Sequence, residues 1–457
     1  MSWAPLGSLM ESSNEAEHRA LEAAYAKITW RLIPFLAILW IIAWIDRVNI
    51  GFAKLQMLDD LKFSEATYGF GAGIFFLGYF FFEVPSNLLL TRIGARKTIA
   101  RITIGWGLTS IAMMFVKTPT IFYGLRFLLG AFEAGFYPGV ILYLTYWFPS
   151  ARRARAFGLF MSASAFAGVI GGPLAGAVLT HLSGANGWAG WQWLFLVEGA
   201  PSIIAGLVTL LYLTDRPEDA GWLDAEQRRL LAGELIRDQR GMSEREHDMF
   251  KALRNPKLWL LVLIFFCIVA ANSTLTFFGP SAVRDIGFAD ASTVGWIMAA
   301  IYLVGGAGMI LNGAHSDRSG EARLHCGLAA LVGGAAIAAL GLTIGSGGVA
   351  PLIALAVAIV TTMSAIPVFW QLPNRLLTGA AAAAGVALIN SIANLAGFLA
   401  PWLIGEVKSA TGALSIGLYI VAAVEAAGFG IILASIPGRR PAELAPGIDA
   451  DRVAPTV

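Results

Sequence analysis

Four charged side chains lie inside long apolar runs, where charge is costly. Asp46 and Arg47 fall in Trp44-Ile-Asp46-Arg47-Val-Asn49-Ile-Gly51, and Arg126 and Glu133 in Arg126-Phe-Leu-Leu-Gly130-Ala-Phe-Glu133. Arg126, Gly130 and Glu133 recur at i, i+4 and i+7, so on a helix they share one face, with about 10 Å between the two charges. Glu83, within Gly78-Tyr79-Phe-Phe-Phe-Glu83-Val-Pro85-Ser86-Asn87, and Glu198 add two carboxylates in the same part of the chain. An ionisable group in a bilayer core costs at least about 2.5–3.5 kcal/mol, which makes each a functional candidate by default.

The mixture points to one kind of chemistry. Arginine is always protonated and offers a planar fork that suits a carboxylate. A carboxylate held in apolar surroundings, by contrast, takes up a proton near neutral pH. Arginines to hold an anion and carboxylates to carry protons are the parts of a proton-coupled organic-anion symporter. The competing reading, internal ion pairs that only hold helices together, stays open, and Glu83 and Glu198 could instead lie near span ends. The second half of the chain supplies Trp370 in Ile366-Pro367-Val-Phe369-Trp370-Gln371-Leu-Pro373, and Asn390 and Asn394 one turn apart. The two prolines there interrupt a helix and free backbone groups for a cavity. Glu425 reads as peripheral, and none of the five histidines is assigned as proton carrier.

The elements that must position these groups follow from composition. Of 457 residues, 57% are hydrophobic and 14% charged, against about 25% charged in soluble proteins. That excess excludes disorder, nucleic-acid binding and small disulfide scaffolds, and the two cysteines have no metal-ligand spacing. Twelve apolar stretches are long enough to cross a bilayer as helices. The first six span 31–53, 67–90, 98–117, 119–147, 155–181 and 192–213, and the second six 257–280, 293–313, 324–344, 350–377, 380–403 and 413–436. Residues 1–30 read as a cytoplasmic segment without a cleavable leader, and 438–457 as a cytoplasmic tail. Of the 32 Lys and Arg, 25 collect on the side of the termini and even-numbered loops, and five on the other. Basic loops stay in the cytoplasm, so both termini are expected there, in a cell (inner) membrane. The other two basic residues are Arg47 and Arg126.

The polar loop 215–256 divides the chain into six-helix halves, 31–214 and 257–437, the arrangement of a carrier built from repeats. A second signal is a repeated basic turn: Asn87-Leu-Leu-Leu-Thr91-Arg92-Ile-Gly94-Ala-Arg96-Lys97 after the second span, and Gly313-Ala-His-Ser316-Asp317-Arg318-Ser-Gly320 after the eighth. Both loops resemble the G-x-x-x-D-R-x-G-R-R/K signature of the major facilitator superfamily. The first departs from it, with Asn87 for glycine and Thr91 for aspartate. As gating hinges, Arg92, Gly94, Arg96, Gly313, Asp317 and Arg318 would shape conformational change without touching substrate.

Together with Gly190-Trp-Gln-Trp-Leu-Phe-Leu-Val-Glu198-Gly and Asn390-Ser-Ile-Ala-Asn394, the segments around Asp46, Glu83 and Glu133 resemble the anion:cation symporter family, which includes tartrate, phthalate, hexuronate and galactonate transporters. The resemblance runs from about Trp30 to Pro437. It implies an all-α membrane fold of twelve helices in two pseudo-symmetric bundles, working by rocker-switch alternating access. It also implies uptake of a small organic anion, with the chain acting as a monomer. Carried over by position, Asp46 and Glu133 match proton-coupling carboxylates, Arg47 and Arg126 the arginines around the anion, and Tyr79, Trp370 and Asn394 cavity-lining positions. Trp44, Ser164 and the surrounding aromatics tilt the substrate toward aromatic or small dicarboxylic acids. Exchange of organic anions, hinted at by Gly168-x-x-x-Gly172-Pro173-x-x-Gly176, and a non-transporting sensor are the alternatives. No enzyme is expected: no nucleophile–base pair, phosphate loop, metal cluster or cofactor motif appears.

Overall fold

In hydrocarbon every unpaired backbone N–H or C=O costs several kcal/mol, so an apolar run of about 20 residues must satisfy its own backbone, and a helix does so. The computed structural model describes residues 6–242, 253–377 and 380–436. Among them are twelve helices long and apolar enough to span: Glu15–Leu61, Glu65–Ile93, Ala95–Phe115, Pro119–Thr145, Ser150–His181 and Gly190–Tyr212, then Pro256–Ile286, Ala291–Ser319, Ala322–Thr343, Val349–Pro373, Leu388–Thr411 and Leu414–Ser435. Short turns join them, and side-chain caps start several. Ser64 Oγ accepts from Thr67 N at 3.0 Å, Asn255 Oδ1 from Lys257 N at 3.0 Å and Asp290 Oδ2 from Thr293 N at 2.7 Å. Each cap satisfies a backbone donor that the first helical turn leaves free.

Polar residues blurred some boundaries. Lys54, read as a loop residue from its charge, is inside the first helix and fully buried. The eleventh span runs on to Thr411 because Lys408, which ends its hydropathy signal early, is paired rather than solvated. The tenth helix breaks at Trp370, between Pro367 and Pro373, and resumes as Gln371–Leu376. Glu425, read as peripheral, is completely buried, with Thr362 Oγ1 donating to its Oε1 at 3.3 Å. The C-terminal tail 438–457 lies outside the described residues.

Two bundles form. In the first, span 3 packs on span 6, span 2 on span 4, and span 1 on spans 5 and 6; in the second, span 9 packs on spans 10 and 12, and span 8 on span 10. The bundles meet where span 2 crosses span 11 and span 5 crosses span 8. The glycine stripe on span 5 serves the second crossing, where Gly172 lies against the backbone of Gly295 with no room for a Cβ on either. The helix Ala225–Met242 of the central loop lies on the first bundle. There Tyr25 Oη donates to Glu234 at 2.8 Å, Lys27 Nζ to Gln227 at 3.0 Å, and Trp147 stacks on Trp222 at 5.5 Å.

Hydrogen bonds between the bundles gather on the side away from the termini. Tyr68 Oη donates to Phe277 O at 2.8 Å, and Arg284 Nη1 to Leu55 O at 2.8 Å. An ion cluster joins them, with Lys54 Nζ 2.7 Å from Glu65 Oε2 and Lys408 Nζ 2.8 Å from Glu65 Oε1.

Candidate substrate cavity

Below that closure, toward the termini, is a cavity of about 150 Å³ between the bundles. Along span 1, Arg47 precedes Lys54 by seven residues, about 10 Å at 1.5 Å rise per residue. The first bundle contributes Trp40, Trp44, Arg47, Phe76, Tyr79, Tyr137 and Met161 to the wall; the second contributes Phe265, Ile366, Trp370, Asn390 and Asn394.

Arg47 is the charged side chain on this wall. Its Nε donates to Glu133 Oε1 at 3.0 Å, and Nη2 pairs with the same oxygen. Its guanidinium sits 5.4, 5.3 and 5.6 Å from the ring centres of Trp44, Phe75 and Tyr79, within cation–π reach. Glu133 is buried at the end of the helix Pro119–Glu133. Gly135, two residues on, adopts φ +84°, a left-handed conformation that lets the chain kink and restart at Phe136. Gly130 lets the backbone of span 2 at Phe75 approach span 4, which brings Glu133 within reach of span 1.

The structure separates the other sequence-based candidates. Arg126 is fully buried behind the ring of Phe75, 5.1 Å away, and off the cavity wall. Its Nε donates to Gly71 O at 3.1 Å and its Nη2 to Ala72 O at 3.2 Å, whereas Nη1 has no partner. Asp46 points at span 3, where Ser110 Oγ donates to its Oδ1, as does Asn49 Nδ2 at 3.2 Å, and Oδ2 is unpartnered. Asp46, Arg47, Arg126 and Glu133 thus form one buried group of which Arg47 alone faces the cavity. Tyr79, Trp370, Asn390 and Asn394 all line it. Glu83 accepts from Ser391 Oγ at 2.8 Å, a bond between bundles.

The basic turns sit at the side of the termini. Arg92 is exposed, Gly94 has φ +91°, and the backbone N–H of Arg96 donates to Asp215 Oδ1 at 2.7 Å. Asp215, beyond span 6, therefore supplies the carboxylate that Thr91 does not. In the second turn Gly313 has open space around it, Asp317 Oδ1 accepts from Gln371 Nε2 at 2.9 Å, and Arg318 is exposed. Sequence reasoning missed Trp40, Tyr137, Met161 and Phe265 on the wall, because a lone aromatic or methionine in an apolar span carries no mark of the face it occupies. It also missed the Lys54–Glu65–Lys408 cluster; the charge of Lys54 and Lys408 near span ends was the available signal.

The description Major Facilitator Superfamily matches residues 36–401. A protein of Agrobacterium vitis provisionally named a tartrate transporter is 46% identical over 413 residues, 90% of each chain. A protein of Pseudomonas putida provisionally named metabolite transport protein NicT is 43% identical and covers 92% of this chain and 95% of its own. Among solved structures, the inward-open xylose transporter XylE of E. coli superposes with a TM-score of 0.72 at 13% identity, covering 91% of this chain and 97% of that one, a likeness of fold. With twelve spans among the described residues, two bundles and a central cavity, the chain belongs to the Major Facilitator Superfamily as a multi-pass membrane transporter, and is not an enzyme.

Proposed function

We propose that this transporter imports a small organic anion together with protons by rocker-switch alternating access, as a monomer in the cell membrane with both termini in the cytoplasm. The observation that carries the reading is the Arg47–Glu133 pair at the cavity wall. A carboxylate substrate and Glu133 are rival partners for one guanidinium. When the substrate takes Arg47, Glu133 loses its counter-charge in a site that is 2% exposed, and a proton is the replacement that keeps it neutral. Anion and proton therefore arrive as a pair. Asp46, one residue from Arg47 and fully buried, is the second proton carrier, and Arg126 holds the buried group's charge in balance from behind Phe75. The cluster around Glu65 joins the bundles on the side away from the termini.

Uptake of candidate acids into proteoliposomes, with and without an inward proton gradient, tests this. Uptake that rises several-fold with the gradient supports symport. Uptake that ignores the gradient and needs anion preloaded on the other side would establish exchange instead.

A further inference from the structure

We infer that the substrate is a planar aromatic monocarboxylate rather than a hydroxylated dicarboxylate, a step that rests on the organic-anion reading above. Three features of the cavity carry it. The first is charge. Arg47 is the fixed cation on the wall, and the guanidinium of Arg126 is held by the carbonyls of Gly71 and Ala72 with the ring of Phe75 in front of it. A second substrate carboxylate would enter a site of low polarity with no cation to meet it, which is costly.

The second is the wall. Rings of Trp40, Trp44, Tyr79, Tyr137, Phe265 and Trp370 surround the space. Two of them are braced: Trp40 Nε1 donates to Ser164 Oγ at 2.6 Å, and Trp370 packs edge-on against Phe265 at 4.9 Å. Braced ring faces stack a planar ring well. The ring faces themselves offer no hydrogen bonds to aliphatic hydroxyls, each of which loses its water on binding, so the hydroxyl and amide partners on the wall are confined to Tyr79, Tyr137, Asn390 and Asn394. The third is size and polarity. A cavity of about 150 Å³ is the size that accommodates one benzene ring. At the arginine end, the ring of Trp44 stands within cation–π reach of the Arg47 guanidinium, so the cation that would meet the carboxylate is itself framed by an aromatic face. Asn390 and Asn394, the polar groups that the opposite bundle brings to the wall, suit a polar substituent on the ring.

The test is calorimetric titration of the purified full chain with four acids: benzoate, 4-hydroxybenzoate, cyclohexanecarboxylate and tartrate. Cyclohexanecarboxylate matches benzoate in charge and near size but has no flat π face. The two aromatic acids are expected to bind at least about tenfold tighter than either of the others, a step of 1.4 kcal/mol. Trp370→Leu is expected to erase the preference for benzoate over cyclohexanecarboxylate. Tartrate binding tighter than the aromatic acids, or benzoate and cyclohexanecarboxylate binding alike, overturns the inference and leaves the organic-anion reading standing. No binding and no proteoliposome uptake of any of the four overturns both.

Discussion

Glu65 holds a lysine from each bundle at once, Lys54 at 2.7 Å and Lys408 at 2.8 Å. Lys54 Nζ also lies 4.1 Å from the ring centre of Phe278 and 3.4 Å from Ser281 Oγ, both in the opposite bundle, and Lys408 lies 3.5 Å from Asp285. One carboxylate therefore fastens the side of the molecule away from the termini. Removing one partner from a buried ion pair costs about 3–5 kcal/mol, because the other charge is left unpaired. Glu65→Gln is thus expected to bias the protein toward opening on that side. In a chain with Cys267 and Cys326 replaced by Ala, a cysteine at the buried position Thr276 should react several-fold faster with an impermeant maleimide when Glu65→Gln is added. Equal rates would show that the cluster does not hold the seam.

Glu133→Gln removes the rival charge for Arg47 and the proton site together while keeping the shape of the side chain. Anion-for-anion counterflow should persist, whereas accumulation driven by a proton gradient should fall to the level seen without one. Counterflow and gradient-driven uptake measured on the same proteoliposomes separate these outcomes. Retained gradient-driven accumulation would remove Glu133 from the proton path.

At the crossing of spans 5 and 8, Gly172 and Gly295 touch backbone to backbone. A side chain at either must push the bundles apart, and overpacking of a tight contact costs about 1–3 kcal/mol. Gly172→Leu should lower the melting temperature in detergent and slow uptake without shifting the ranking of substrates by affinity. A changed ranking would place the glycine stripe in recognition rather than in packing.

The sequence made the architecture readable because length and hydropathy of a span, and the sidedness of Lys and Arg, are local properties. Arg47 and Glu133 were readable for a related reason: charge inside an apolar run is conspicuous wherever it points. What sequence could not separate was Arg47 from Arg126. Both are arginines deep in spans of the same bundle, and which one reaches the cavity depends on the crossing of spans 2 and 4 at Gly130 and on the ring of Phe75. Lys54 was misplaced for the opposite reason: its charge suggested a loop, and only the approach of Glu65 and of the Phe278 ring of the opposite bundle lets it remain in a helix.

That separation of the two arginines is measurable. Arg47 borders the cavity with its side chain 16% exposed, so Arg47→Ala is expected to abolish anion binding, and the stability it loses by leaving Glu133 unpaired should return when Glu133→Gln is added. Arg126 is 0% exposed and bonds two backbone carbonyls of span 2. Arg126→Ala should therefore abolish uptake and also destabilise, since each buried polar group left unpaired costs about 1–3 kcal/mol. Arg126→Lys keeps the charge but lacks the planar fork, and should recover part of the stability and little of the uptake. Melting curves in detergent read beside binding isotherms distinguish the two residues. An Arg126→Ala protein that melts and binds like wild type would show that the buried guanidinium supports neither the site nor the packing of spans 2 and 4.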